Sequence, residues 1–156
     1  MKNICCFAGH GKLIYGKNIK NQIFNKCREL ITDFGVNKFW VGNYGSFDKL
    51  AAEIVRELKQ QYPNIELNLI IPYLTKEIND YKEQYDKAHD NIIIAPMPMG
   101  TPNRYRILFA NRYMVDKSRY LVAYVNYLFG GAAKTLEYAK QKSDIEVFNF
   151  GEILYY

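Results

Sequence analysis

Apolar runs and amphipathic runs alternate along this 156-residue chain from one end to the other. The apolar runs Ile4–Ala8, Lys38–Val41, Glu66–Ile71, Asn91–Ala95, Tyr120–Val125 and Glu146–Phe150 read as strands. Several lack a polar residue at every second position, which is the pattern of strands covered on both faces. The segments between them, about Lys17–Thr32, Phe47–Gln61, Thr75–Tyr85, Asn103–Lys117 and Ala132–Lys142, carry apolar residues at helical spacing. In the second, Leu50, Ile54 and Leu58 join Ala51 and Val55 in one broad stripe. Gly35 stands where a left-handed cap would end the first helix, and Pro63 stops the second. Repeated strand–helix–strand alternation predicts an α/β fold. It takes the form of a single Rossmann-like domain over residues 1–156, with a mainly parallel sheet of about six strands and helices on both faces. Ligands of such sheets sit beyond the carboxyl ends of the strands, so the residues that follow each strand carry the functional question.

Composition narrows the setting. Apolar residues make up 49% of the chain, enough for a core without covalent staples. No apolar run approaches the roughly 20 residues that span a bilayer, so no membrane partner is expected. The N-terminal run is too soon interrupted by Gly9 and His10 to serve as a signal peptide. Cys5, Cys6 and Cys27 form an odd set without CxxC spacing, and the two adjacent ones would face opposite sides of a strand. Reduced thiols in a cytoplasm are the expectation. The formal charge is +5, and residues 1–28 hold Lys2, Lys12, Lys17, Lys20, Lys26 and Arg28 with no acidic residue. A second basic stretch holds Arg104, Arg106, Arg112, Lys117 and Arg119 against Asp116. Such asymmetry suits an anionic ligand, and equally a solvated basic surface.

Three strand ends are marked by glycine: Phe7-Ala8-Gly9-His10-Gly11-Lys12, Gly42-Asn43-Tyr44-Gly45-Ser46-Phe47-Asp48, and Phe129-Gly130-Gly131-Ala132-Ala133-Lys134-Thr135. Glycine lets a backbone approach a ligand closely, and a helix start beyond it offers free N–H groups to phosphate. None of the three is a standard fingerprint: Gly42-x-x-Gly45 is not GxGxxG, and the third lacks the first glycine of a P-loop. Each alone reads as a tight turn; their coincidence at one sheet edge is what marks a site. Ser46 or Asp48 would alternatively cap the second helix, and Lys134 and Thr135 would alternatively be surface residues of theirs. His10 is a candidate ligand donor or general acid, or simply an exposed loop residue. On a helix, Ile107, Leu108, Asn111, Met114 and Val115 share one face, where polar Asn111 needs a partner or a ligand. Arg106 and Arg112 lie off that stripe as candidate bidentate phosphate contacts. No His/Cys/Asp/Glu cluster has metal-ligand spacing, no cofactor is implied, and no GxSxG elbow supports a hydrolase triad.

Gly42-x-x-Gly45-Ser46-Phe47-Asp48, the segment Asn111–Ser118 and the run Gly130–Ala139 together resemble the SLOG superfamily. More narrowly, they resemble its small YpsA-like bacterial and phage members. The resemblance implies a Rossmann-like fold that binds nucleotides or nucleotide-derived molecules. One branch, the Lonely Guy phosphoribohydrolases, cleaves the N-glycosidic bond of nucleoside monophosphates. Other branches sense NAD-derived signals, and the DprA branch binds single-stranded DNA. The enzymatic signature PGGxGTxxE is kept here only in Gly130, Gly131 and Thr135, with Phe129 for its proline and Glu137 as the nearest carboxylate. By the resemblance Glu137 would be the catalytic group, acting on the ribosyl centre as glycosidase carboxylates do; it is equally a helix-start glutamate that complements the dipole. Ala8-Gly9-His10-Gly11 stands where related proteins carry TGHR, and Ala110-Asn111 where they carry RN.

The expected function is therefore binding of a phosphate-bearing, nucleotide-derived small molecule of the ADP-ribose or cyclic-nucleotide type. The protein would be a sensor or sequestering protein without robust catalysis. The alternatives are a nucleoside monophosphate phosphoribohydrolase and a nucleic-acid-binding protein. The apolar C-terminal run Phe150–Tyr156 would pack on the sheet or on a second subunit of a homo-oligomer.

Overall fold

The computed structural model describes residues 3–153. Six strands and six helices follow in the order β1 (Ile4–Gly9), α1 (Lys17–Phe34), β2 (Lys38–Val41), α2 (Ser46–Gln61), β3 (Glu66–Ile71), α3 (Lys76–Asp80), α4 (Lys82–Ala88), β4 (Asn91–Ile94), α5 (Asn103–Lys117), β5 (Tyr120–Tyr124), α6 (Gly131–Lys140) and β6 (Glu146–Asn149). All six strands pair in parallel in the order β4-β3-β2-β1-β5-β6. The chain therefore builds outward from β1 in one direction, then returns to its other side with β5. Right-handed crossovers place the helices of the two halves on opposite faces.

The side-chain alternation of β1 shows how the layers divide. Cys5 and Phe7 face α1 and α2, where they meet Ile23, Cys27, Leu30, Phe47, Ile54 and Leu58. Cys6 and Ala8 face α5 and α6, against Ala110, Met114, Val115, Leu136 and Ala139. The three thiols are free and fully buried, and burial pushes that of Cys6 up to about 12, so they act as small core hydrophobes. Gly35 caps α1 in the left-handed conformation, with φ of 70°, as its position predicts.

Two elements differ from the pattern read in the sequence. The Thr75–Tyr85 helix is split: Thr75 caps α3 by accepting from the Ile78 N–H, and Tyr81, at φ −114°, leaves helical geometry before α4 begins. In α5 the buried residues are Ala110, Met114 and Val115, while Ile107 is 40% exposed. The first turns of that helix lean over the edge of the sheet rather than onto the core.

Phe39 is wholly buried on β2 and stacks on Phe7 of β1 with ring centroids 6.1 Å apart. Phe39→Ala should cost about 3–5 kcal/mol, the usual range for emptying such a site. Urea unfolding followed by Trp40, the single tryptophan of the chain, should show a lower midpoint at unchanged slope.

Candidate functional site

Strand order reverses between β1 and β5, and there the crossovers part to leave a crevice beyond the carboxyl ends of the strands. The crevice holds about 390 Å³ and is lined by Gly9, His10 and Lys12 from the first loop, Tyr44 and Asp48 from the second, and Tyr127, Gly130, Gly131 and Thr135 from the fifth. Ile107 and Asn111 close it from α5. Lys12 and Asp48 are the charged groups among these lining residues.

The loops are locked to one another by backbone geometry. A Cβ on Gly9 would collide with the ring of Phe47, which is buried at the start of α2 directly behind the crevice floor. Gly45 has φ of 149°, a conformation that favours glycine, and a Cβ there would meet the backbone of Gly11. The first and second loops can therefore touch, and the Ser46 N–H donates to the Gly11 carbonyl at 3.1 Å. The Ser46 hydroxyl donates to the Leu13 carbonyl at 2.6 Å. Ser46 thus ties loop to loop and does not cap its helix, whose N-cap has no side-chain acceptor.

His10 is the hinge of the first and fifth loops. It is 3% exposed, and its Nε2 accepts the Asn126 backbone N–H at 2.9 Å. Its carbonyl accepts the Tyr15 hydroxyl at 2.6 Å. Burial pulls its pKa below the ordinary histidine value, and protonating Nε2 would forfeit the bond from Asn126. The hydrogen-bond pattern assigns a neutral ring with the proton on Nδ1, a donor rather than an acid at neutral pH. Across the crevice, Asp48 accepts the Tyr44 N–H at 2.9 Å. Burial raises its carboxyl to about 6, opposed by the backbone donors of Tyr44 and Gly42.

The fifth loop leads into α6. Gly130 has φ of 91° and offers no side chain to cap the helix, so the first N–H groups of α6 lack a side-chain acceptor. Thr135 is buried and returns its hydroxyl to the Gly131 carbonyl at 2.9 Å. At the end of β5, Asn149 accepts the Val125 N–H and donates to the Val125 carbonyl, holding the strand open where the loop departs.

The structure thus brings Gly9, His10, Asp48, Asn111, Gly130, Gly131 and Thr135 to one crevice. Gly45, Ser46 and Phe47 shape it from behind. The other candidates lie elsewhere. Gly42 lines a smaller cavity of about 260 Å³ on the far side of Asp48. Arg106 donates to the Thr101 carbonyl and lies over Tyr73. Arg112, Lys134 and Glu137 line a separate cavity beside α6, with the Arg112 guanidinium near Phe109 and Tyr138. Arg112 Nε is buried there with no hydrogen-bond partner among the described residues. The sequence pattern names Lys12 only for its charge and its loop, and singles out neither Tyr127 nor Asn149. The glycines flag the loops of Lys12 and Tyr127, but nothing local flags Asn149, whose role depends on the register of β6 against β5. Among the described residues no cluster of His, Cys, Asp and Glu could hold a metal, and no helix is long and apolar enough to cross a membrane.

Two outcomes follow from these charges. A group whose folded pKa is raised contributes stability below its ordinary pKa, near 3.8 for Asp48, and loses it as pH rises through about 6. Asp48→Asn should therefore melt at or above the wild type at pH 7.5, with the advantage shrinking as pH falls below 6. A lower melting point for the variant at pH 7.5 would refute the raised carboxyl. For His10, nitrogen-15 NMR of the imidazole at pH 7 should show the Nδ1–H tautomer, and a ring already charged at that pH would contradict the assignment.

Comparison with known proteins agrees with this architecture. The model of the YspA SLOG family matches residues 3–151. A UPF0398 protein of Halalkalibacterium halodurans is 30% identical over 139 residues, covering 84% of this chain and 72% of that protein. A UPF0398 protein of Bacillus cereus strain G9842 is 26% identical over 145 residues, covering 88% and 77%. Among solved structures, DNA processing protein A from Helicobacter pylori, described for its single-stranded DNA binding mode, superposes with a TM-score of 0.63 at 16% identity. That match covers 95% of this chain, which spans 65% of the length of the Helicobacter protein. The fold, the order of its elements and the family model over nearly the whole chain lead to one conclusion: this protein belongs to the YspA SLOG family.

Proposed function

We propose that the crevice between β1 and β5 binds a phosphate-bearing, nucleotide-derived small molecule, and that the protein acts as a sensor or sequestering protein for it. The observation that carries this reading is the convergence, at the strand-order reversal, of an uncapped α6 N-terminus, the Lys12 ammonium and the neutral His10. Free N–H groups at a helix start and a lysine are the ordinary partners of a phosphate. Asn111 and Asp48 add polar groups suited to sugar hydroxyls or base edges. Binding without turnover is favoured by the position of Glu137, which lines the separate cavity beside α6 and not the crevice. A phosphoribohydrolase would have to draw its carboxylate from Asp48 instead.

A second reading, single-stranded nucleic acid, draws on the likeness to the Helicobacter protein. It differs in one measurable respect, because an extended polyanion releases many counterions and its affinity falls steeply with salt.

The test begins with the protein as purified: denaturation and mass spectrometry of any co-purifying nucleotide, then thermal shifts with nucleoside monophosphates, ADP-ribose and cyclic ADP-ribose isomers. Ligand that binds the native state raises its apparent stability. The expected result is an intact ligand, or a shift without release of free base. Lys12→Ala should weaken binding roughly tenfold or more, since a charge-assisted hydrogen bond contributes about 1.5–3 kcal/mol. Steady production of base and ribose phosphate would replace the sensor by a phosphoribohydrolase, and no shift with any of these compounds would defeat the reading.

A further inference from the structure

Three aromatic rings form a column that runs out of the crevice. His10 stacks on Tyr127 with centroids 3.7 Å apart and planes 10° from parallel. Tyr127 in turn stacks on Phe129 at 4.3 Å and 25°. The inner end of this column is anchored, since His10 is buried and bonded to the Asn126 N–H, and His10 and Tyr127 both line the crevice. The outer end is open: Phe129 is 71% exposed, and its neighbour Leu128 is 62% exposed.

The core does not explain that arrangement. Phe129 belongs to neither of the two apolar clusters that hold the helices to the sheet. An aromatic ring kept in water against another ring has one face free, and the natural occupant of that face is a further flat ring. Phe129 also directly precedes Gly130 and Gly131, so the stacking ring and the phosphate-facing start of α6 belong to one short loop.

We propose that Phe129 is the platform on which the base of the bound nucleotide stacks, so that the column reads His10, Tyr127, Phe129, base. The proposal rests on the nucleotide reading of the crevice and deepens it by naming the part of the ligand that lies at the lip. A stack reads area and not hydrogen-bonding edges, because every base has a π-face. The recognised class is therefore nucleotides with a large flat base: purines should bind more tightly than pyrimidines, and both more tightly than a ribose phosphate without a base. The neutral state of His10 suits this role, since the column carries no charge into the stack.

The experiment measures, by calorimetry at fixed salt, the affinities of adenosine 5′-monophosphate and ribose 5-phosphate for the wild type, Phe129→Ala and Phe129→Trp. Phe129 is exposed, so the alanine variant should keep its fold, which the emission of Trp40 checks. The wild type should favour the nucleotide by roughly 5- to 150-fold, the range seen for stacking one base. Phe129→Ala should remove most of that ratio while leaving ribose 5-phosphate affinity unchanged, and Phe129→Trp should keep it with quenched indole emission on binding. An unchanged ratio in Phe129→Ala would overturn the proposal while leaving the phosphate site standing. If the alanine variant instead loses self-association at an unchanged ratio, the ring is a subunit contact and the proposal fails. Binding of neither compound by the wild type would overturn the crevice reading together with it.

Discussion

The hydrogen-bond ladder between β1 and β5 joins the first strand to one that follows after four helical crossovers, and the C-terminal edge is arranged around it. Its register, Phe7 with Val122 and Gly9 with Tyr124, brings the two strand ends level. The loops that leave them must then separate, one toward α1 and the other toward α6 on the opposite face. Beyond the strand ends the His10 N–H donates to the Tyr124 carbonyl, and the Asn126 N–H, 116 residues from His10 in the chain, donates to the His10 side chain. That bond fixes the depth of the crevice, the tautomer of the imidazole and the ring on which Tyr127 rests.

The second loop is held to the same frame by exclusion. Phe47 occupies the space that a side chain on Gly9 would need, and Gly11 occupies the space that one on Gly45 would need. Three glycines thus let two loops and a helix start approach to backbone distance. The same packing half-buries Asp48, whose carboxyl is met by the backbone N–H groups of Tyr44 and Gly42. A carboxylate placed there costs the fold stability once it ionises, which marks Asp48 as a candidate site group.

Much of the fold was legible because each element depends on local periodicity. Lys38–Val41, Glu66–Ile71 and Asn103–Lys117 have the bounds that the apolar pattern gives, and the parallel sheet follows from the alternation. The split of the third helix at Tyr81 was not legible, since nothing in Thr75–Tyr85 but the Thr75 cap announces that the helix is short. At the site, the glycines pointed to the loops because their conformational requirement is a property of single residues. Helical periodicity placed Arg112 off the core stripe without telling which cavity lay beyond it. Side-chain direction on α5 depends on how that helix leans over the sheet edge, and so Asn111 turns to the crevice while its neighbour Arg112 turns to α6. Glu137 is a similar case: it is the carboxylate nearest Thr135 along the chain, but it lines the separate cavity beside α6.

The departures from the enzymatic signature are coherent when read against these positions. Phe129, where the signature has proline, is the exposed end of a ring column that begins at His10. Ala132 and Ala133 stand at the centre of the motif, and Ala132 lines the crevice. The carboxylate that lines the crevice is Asp48, which accepts the Tyr44 N–H and whose pKa burial raises to about 6. On the proposed reading, the exposed Phe129 beside the start of α6 would hold a base next to its phosphate, while Glu137 lines a separate cavity.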